Sequence, residues 1–290
     1  MSWEAFFERH SGWVNTDKDF LAPYFDSMTL AEEIAQSATR RVDIPVRKSF
    51  VRSSDPATAP PLARIVSRGG RGGGLAVKLY IALIWRCSAK PYSTEIPARK
   101  WARLLALEDP NHKGARRIAK ALKLLEELQL IELTLRRGEP SIICLKDESG
   151  DGSEYELPST AYTKGRAERD RYLKVSVKLW TKAYIQMLSS PALAMLLILL
   201  AEDSGNAEKG AKEGTEVWWS TERFPSRYWI SPAMRSRGTK DLIAAGLLYV
   251  RRQSVANPGS KKDFVRERVR NIYRLQNSAL VYAETDGEKK

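Results

Sequence analysis

The 290-residue chain is poor in the side chains that build metal sites and covalent frameworks. It holds two cysteines, Cys87 and Cys144, and two histidines, His10 and His112. So few, so widely spaced, exclude a zinc-finger framework and a disulfide lattice. Both cysteines lie in apolar stretches and read as small buried hydrophobes. Long apolar runs are also missing. The longest, Ala192–Ala201, is about half of what a bilayer-crossing helix needs. It lacks the basic polar face of a helix that lies on a membrane, so no membrane partner is expected. Met1–His10 is charged and aromatic, unlike the apolar core of a secretory leader. The expected location is cytoplasmic, and nucleoid-associated if the source is prokaryotic.

Catalytic constellations are absent as well. Neither histidine has a serine or cysteine partner arranged as a motif. Asp17-Lys18-Asp19 has no third ligand nearby and reads as a solvated turn. Tyr162 and Tyr172 flank basic residues, as a DNA-attacking tyrosine would, but the histidine-rich metal motif that accompanies such a nucleophile is missing. Packing is the simpler role for both. The run Arg68-Gly69-Gly70-Arg71-Gly72-Gly73-Gly74 lacks the GK[ST] ending of a phosphate loop. It reads as a flexible hinge whose Arg68 and Arg71 graze phosphates. No enzyme activity and no cofactor are expected.

What the chain does have is positive charge: +13 net, with a pI near 9.7. An excess of this size points to nucleic acid or another anionic surface, and says nothing about fold. The organising stretch is 220–275. Thr221–Tyr228 predicts a short helix, and Trp229-Ile230-Ser231-Pro232 a turn into a second one. Ser231 suits an N-cap and Pro232 the first helical position. Gly246 suits a left-handed C-cap. Leu247–Val250 and Asn271–Leu275 then read as paired strands around a polar loop with Asn257-Pro258-Gly259. Ala233, Ser236, Arg237 and Lys240 share one helix face by their i, i+3, i+4, i+7 spacing, with Arg235 beside them, while Leu242 and Ala245 fall on another. The loop and returning strand carry Lys261, Lys262, Arg266, Arg268 and Arg270, a composition suited to clamping phosphates.

The same order occurs upstream. Leu75–Cys87 predicts an apolar helix, Tyr92–Ile96 a short strand, Pro97–Leu107 a helix, and His112–Leu128 a longer one. On the last, Ile118, Ala121, Leu122 and Leu125 form a core stripe. Lys113, Arg116, Arg117 and Lys120 repeat that spacing roughly 140° round the helix, with Lys123 one turn on. Leu130–Thr134 and Ser141–Leu145 read as strands about a tight turn with Arg136 and Arg137. In the downstream half, Tyr172–Val177 reads as a strand, Leu179–Leu188 as a short helix, and Ala192–Ala201 as a buried helix.

The segments KALKLLEELQLIEL (120–133) and TKDLIAAGLLYV (239–250) both end a polar helix in a leucine-rich turn before a strand. This resembles the winged-helix superfamily over roughly 75–147 and 172–277. The first copy departs from the pattern in having Gln129 where glycine is usual. The resemblance implies a mainly α fold with short β-hairpin wings (α+β): two winged-helix domains after an N-terminal helical or irregular segment. The implied organisation is an N-terminal segment and glycine hinge (1–74), the first unit (75–147), a linker (148–171), the second unit (172–277) and a flexible tail (278–290). In layout it is similar to plasmid replication initiators and to winged-helix repressors. It implies sequence-specific binding of double-stranded DNA, with Lys113, Arg116, Arg117, Lys120, Lys123, Arg136 and Arg137 in one unit. In the other, Arg235, Ser236, Arg237, Lys240, Lys261, Lys262, Arg266 and Arg268 take that role. A second copy of the chain, or a replication or transcription protein, would be a further partner. The alternative is a structural adaptor that uses the same units to hold proteins. The aromatic lead-in (Phe6, Phe7, Trp13, Phe20, Tyr24, Phe25) and the mixed-charge linker would serve it. That lead-in is net acidic, which makes it a poor DNA arm.

Overall fold

In the computed structural model the described residues are 18–37, 42–53, 55, 57–68, 70–165, 168–203, 214–255, 268–276 and 278–281. Over these the protein is a mixed α+β structure with small antiparallel sheets, as the order of helical and strand patterns predicts. Helix α1 spans Lys18–Ser37. It is followed by β1 (Asp43–Arg47), α2 (Pro61–Ser67), α3 (Gly70–Arg86), β2 (Ser93–Thr94), α4 (Ala98–Leu104), α5 (Lys113–Glu127), β3 (Ile131–Thr134) and β4 (Ile142–Leu145). The second half holds α6 (Pro158–Gly165), β5 (Tyr172–Ser176), α7 (Lys178–Thr181), α8 (Tyr184–Met187) and α9 (Ser190–Asp203). It ends with α10 (Arg223–Tyr228), α11 (Pro232–Ala244), β6 (Leu248–Val255), β7 (Arg268–Leu275) and α12 (Ser278–Val281).

Helix α9 is buried on every side, from Pro191 to Ala201. A helix apolar all round must be enclosed by other elements, and α11, β5, α3 and α2 enclose it. Two glycines let the backbones close in. A Cβ at Gly238 of α11 would lie 2.3 Å from the Pro191 carbonyl oxygen, and one at Gly74 of α3 would lie 2.7 Å from the Ser190 Cβ. The glycine run therefore corrects the expectation of a hinge. Gly70–Gly74 opens helix α3, and Gly73 abuts the Ile65 carbonyl oxygen, 2.6 Å from where a Cβ would stand. Tertiary contact overrides the poor helix propensity of glycine there.

One hydrophobic cluster runs through both halves of the molecule, from Ala31 and Ile44 to Tyr273 and Val281. Strand β1 pairs with β5, joining a residue range near the N-terminus to the start of the second half. Helix α1 docks through Asp26, which accepts two bonds from Arg103 at 2.6 and 2.9 Å, and through Ser27, which donates to the Leu104 carbonyl. The range 148–171 is more than a solvated linker, because it carries α6 and the buried residues Glu148, Tyr155 and Asp170. Part of the expected flexible tail is also ordered: α12 buries Leu280 and Val281. The aromatics Phe6, Phe7 and Trp13 lie outside the described residues.

The buried carboxylates converge on Arg47 of β1. Its guanidinium bonds Glu148, lies 3.4 Å from Asp147 and 3.5 Å from Asp170, and sits over the Tyr155 ring at 5.7 Å. Three acids share one cation in a nearly dry site. Desolvation outweighs the attraction of Arg47 and pushes the Glu148 carboxyl up to about 7. A carboxyl with a raised folded-state pKa stabilises the fold below its unfolded value and loses that contribution as pH rises through about 7. We therefore expect the stability of the wild type relative to Glu148→Gln to fall by on the order of 2–3 kcal/mol between about pH 5 and pH 8. Urea unfolding at both pH values measures it. A wild type that gains on the variant as pH rises would contradict the assignment.

Candidate nucleic-acid interface

Helix α5 divides as its periodicity predicts. Gly114, Ile118, Ala121, Leu122 and Leu125 are buried against α3 and α4, whereas Lys113, Arg116, Arg117, Lys120 and Lys123 are exposed. Its start is capped by Asp109, whose carboxylate accepts from the His112 and Lys113 amides at 3.3 and 3.2 Å. The end is a Schellman turn: Leu130 N–H donates to the Leu125 carbonyl and Gln129 N–H to that of Glu126. Gln129 adopts φ 58°, so it takes the left-handed position usually given to glycine.

Among the described residues, only Lys113 of these cations forms an ion pair, with Glu108 at 3.9 Å. Arg116, Arg117, Lys120 and Lys123 make no ion pair among the described residues. A groove of about 330 Å³ runs beside them, lined by Arg117, Lys120, Leu124, Gly72, Gly73 and Arg68. Arg68 is held by Glu127 at 2.7 Å. At the following turn the two arginines part company. Arg137 is exposed and makes no ion pair among the described residues. Arg136 is tied to Glu95 at 2.6 Å, to Glu139 at 3.0 Å and to the Pro140 carbonyl. The Arg136 donors thus fasten the β3–β4 turn to the segment after β2.

Helix α11 repeats the scheme. The Ser231 hydroxyl accepts from the Met234 amide at 3.2 Å, and Pro232 holds the first helical position. Its other end is again a Schellman turn, with Leu247 N–H on the Leu242 carbonyl, Gly246 N–H on that of Ile243, and Gly246 at φ 69°. Gly238, Leu242 and Ala245 face inward, while Ser236, Arg237 and Lys240 are exposed and make no ion pair among the described residues.

Arg235 departs from this pattern, because its guanidinium is engaged within the protein. The guanidinium lies 4.3 Å from the Phe224 ring, 5.1 Å from Tyr273 and 5.4 Å from Trp219, and it donates to the Tyr273 hydroxyl at 3.0 Å. It clamps α10, α11 and β7 together. The hairpin contributes what the sequence analysis missed. Arg252 of β6 and Asn271 of β7 are exposed cross-strand partners. By alternation they share the face of Leu248, Val250, Tyr273 and Leu275. Asn271 lines one cleft of about 380 Å³ with Ser236 and Lys240, so that face looks toward α11. Counting by twos from Leu248 would have found Arg252.

On the opposite hairpin face the cations are engaged. Arg270 sits 4.5 Å from the Trp218 ring, Arg274 5.4 Å from Tyr249, and Arg251 is bidentate on Glu216 at 2.8 and 3.1 Å. Trp219 is buried, whereas its neighbour Trp218 is 51% exposed. Trp229, in the turn before α11, is 45% exposed at φ 54°. Lys261, Lys262 and Arg266 lie outside the described residues, and of Arg268 only its backbone place opposite Val255 is described.

Arg235→Ala is expected to destabilise the protein by roughly 1–3 kcal/mol through lost ring and hydrogen-bond contacts. Arg237→Ala should stay within about 0.5 kcal/mol of the wild type. Urea unfolding distinguishes them, and equal effects would contradict the division between clamp and free cation.

No protein-family model, curated protein or solved structure matches the chain, so its functional reading rests on this geometry.

Proposed function

We propose that the protein binds double-stranded DNA through two winged-helix units, 75–147 and 172–277. One observation carries the reading: α5 and α11 each follow a shorter helix and a turn, bury one face, and hold on the other cations that make no ion pair among the described residues. A cation left free of carboxylates retains its charge for phosphates, and a helix anchored by its opposite face can enter a major groove without unfolding. Arg116, Arg117, Lys120 and Lys123 serve the first unit. Ser236, Arg237 and Lys240 serve the second, and the hairpin adds Arg252 and Asn271. The layout suits plasmid-type replication initiation or transcriptional regulation. An initiator would bind directly repeated sites, and a repressor a palindrome as a dimer.

Adaptor function is the second reading, favoured by Trp229, whose large ring stands half out of the surface in a strained backbone conformation. Salt separates the two. Duplex affinity, read by fluorescence anisotropy, should fall steeply between about 50 and 200 mM salt, with a slope reporting several released counterions. Arg237→Ala and Lys240→Ala should each cost about 1–3 kcal/mol if they read bases, and Arg116→Ala should lower the slope by about one if it holds a phosphate. A salt-independent interaction that none of these variants weakens would favour the adaptor.

A further inference from the structure

Lys78 is a charged residue in the otherwise apolar middle of α3. Its neighbours on the helix, Val77 and Leu79, are buried hydrophobes. The residue as a whole is half-buried, and its ammonium donates to one protein acceptor, the Gln186 main-chain oxygen at 2.8 Å. A lysine ammonium has three donors, so two are left over. No carboxylate lies within ion-pair distance of it among the described residues. The charged group that does act on it is another cation, Arg117 of α5.

These two cations border a cleft of about 380 Å³ where α1, α3, the α4–α5 turn and the start of α9 meet. Tyr24 and Ser190 add hydroxyl groups to its wall, the Ser189 hydroxyl there donates to the Asp241 carboxylate, and Glu108 stands at the exposed edge, 3.9 Å from Lys113. A water takes up about 30 Å³, so the space accommodates a tetrahedral anion with its hydration. Burial, with Arg117 adding to it, pushes the Lys78 ammonium down to about 8, which still leaves it mostly charged at neutral pH. A half-buried lysine and an exposed arginine thus border the same cleft, and neither has an ion-pair partner among the described residues.

We propose that the cleft between α3, α5 and α9 is a phosphate-binding site, in which Lys78 and Arg117 hold the phosphate group of a ligand. Two sources supply that chemistry: the backbone of a duplex lying along α5, or a free phosphorylated small molecule. The site goes beyond the DNA reading, because it is testable on the DNA-free protein. Elements of both halves wall the cleft, so an occupant would bear on how α5 and α9 are held together.

The test follows the Lys78 ammonium by nitrogen-detected NMR in the full chain. Inorganic phosphate and pyrophosphate are the probes, with chloride at matched ionic strength as the control. The expected result is a saturable shift, with the Lys78 titration moving upward by about one unit as the anion neutralises its surroundings. Lys78→Met, checked for folding by thermal melting, should abolish pyrophosphate binding, and Arg117→Gln should weaken it at least about tenfold. If the phosphate is DNA's own, pyrophosphate competes with the duplex and Lys78→Met lowers the salt slope by about one. If it belongs to a small molecule, duplex affinity is unchanged in Lys78→Met and mononucleotides bind the DNA-free protein. A wild type that responds to neither probe beyond the chloride control, with the Lys78 titration unmoved, overturns the proposal whether or not duplex is bound. That measurement needs no variant.

Discussion

The contact on which the rest depends is the close approach of α11 to the start of α9. Gly238 has no side chain because the Pro191 carbonyl occupies the place one would take. That contact seats α11 on a helix that is itself wholly buried, and each enclosed leucine or isoleucine of α9 contributes about 1.5–3 kcal/mol. Arg235 completes the seating from the other side by holding Phe224, Trp219 and Tyr273. The exposed Arg237 and Lys240 are thereby displayed from a rigid body, and rigidity makes a cation useful for recognition, since little order remains to be imposed on binding.

The arginines and lysines sort into two populations by their partners. Arg47, Arg103, Arg136, Arg235, Arg251, Arg270 and Arg274 are spent on carboxylates or aromatic rings. They fasten turns, strands and helices, and their charge is largely cancelled or covered locally. Arg116, Arg117, Lys120, Lys123, Arg137, Arg237 and Lys240 have no such partner among the described residues, and most of them project from two helices. The net charge of +13 is therefore unevenly available. In the proposed reading this second population meets DNA, and Lys78, set back in its cleft, is the member that faces inward.

Much of this was legible in the residues, and the exceptions share a cause. The amphipathic face of α5, the Ser231 cap and the Gly246 turn are local features, set within one or two helical turns, and local periodicity reveals them. Gln129 ends α5 by the same hydrogen bonds as Gly246 ends α11, so the leucine-rich turn outlasts the loss of its glycine. The misses are tertiary. Glycines at 70–74 look flexible until the Ile65 carbonyl and Ser190 show why no side chain fits there. Arg235 looks like its neighbours Arg237 and Lys240 until the rings of Trp219, Phe224 and Tyr273 are seen to surround it. The acidic range after β4 looks solvated, yet Glu148 is buried against an arginine 101 residues away. No short window along the chain brings Ser190 to Gly74, Tyr273 to Arg235 or Arg47 to Glu148.

The central claim is that α5 and α11 act as a pair of groove-entering helices on one frame. The most direct measurement is a guanine-methylation protection footprint on duplexes selected from a random pool by the full chain. The expected result is two protected major-groove patches within one site, one lost in Arg116→Ala/Arg117→Ala and the other in Arg237→Ala/Lys240→Ala. A pool that yields no preferred duplex, or a footprint that both double variants leave intact, would contradict the account.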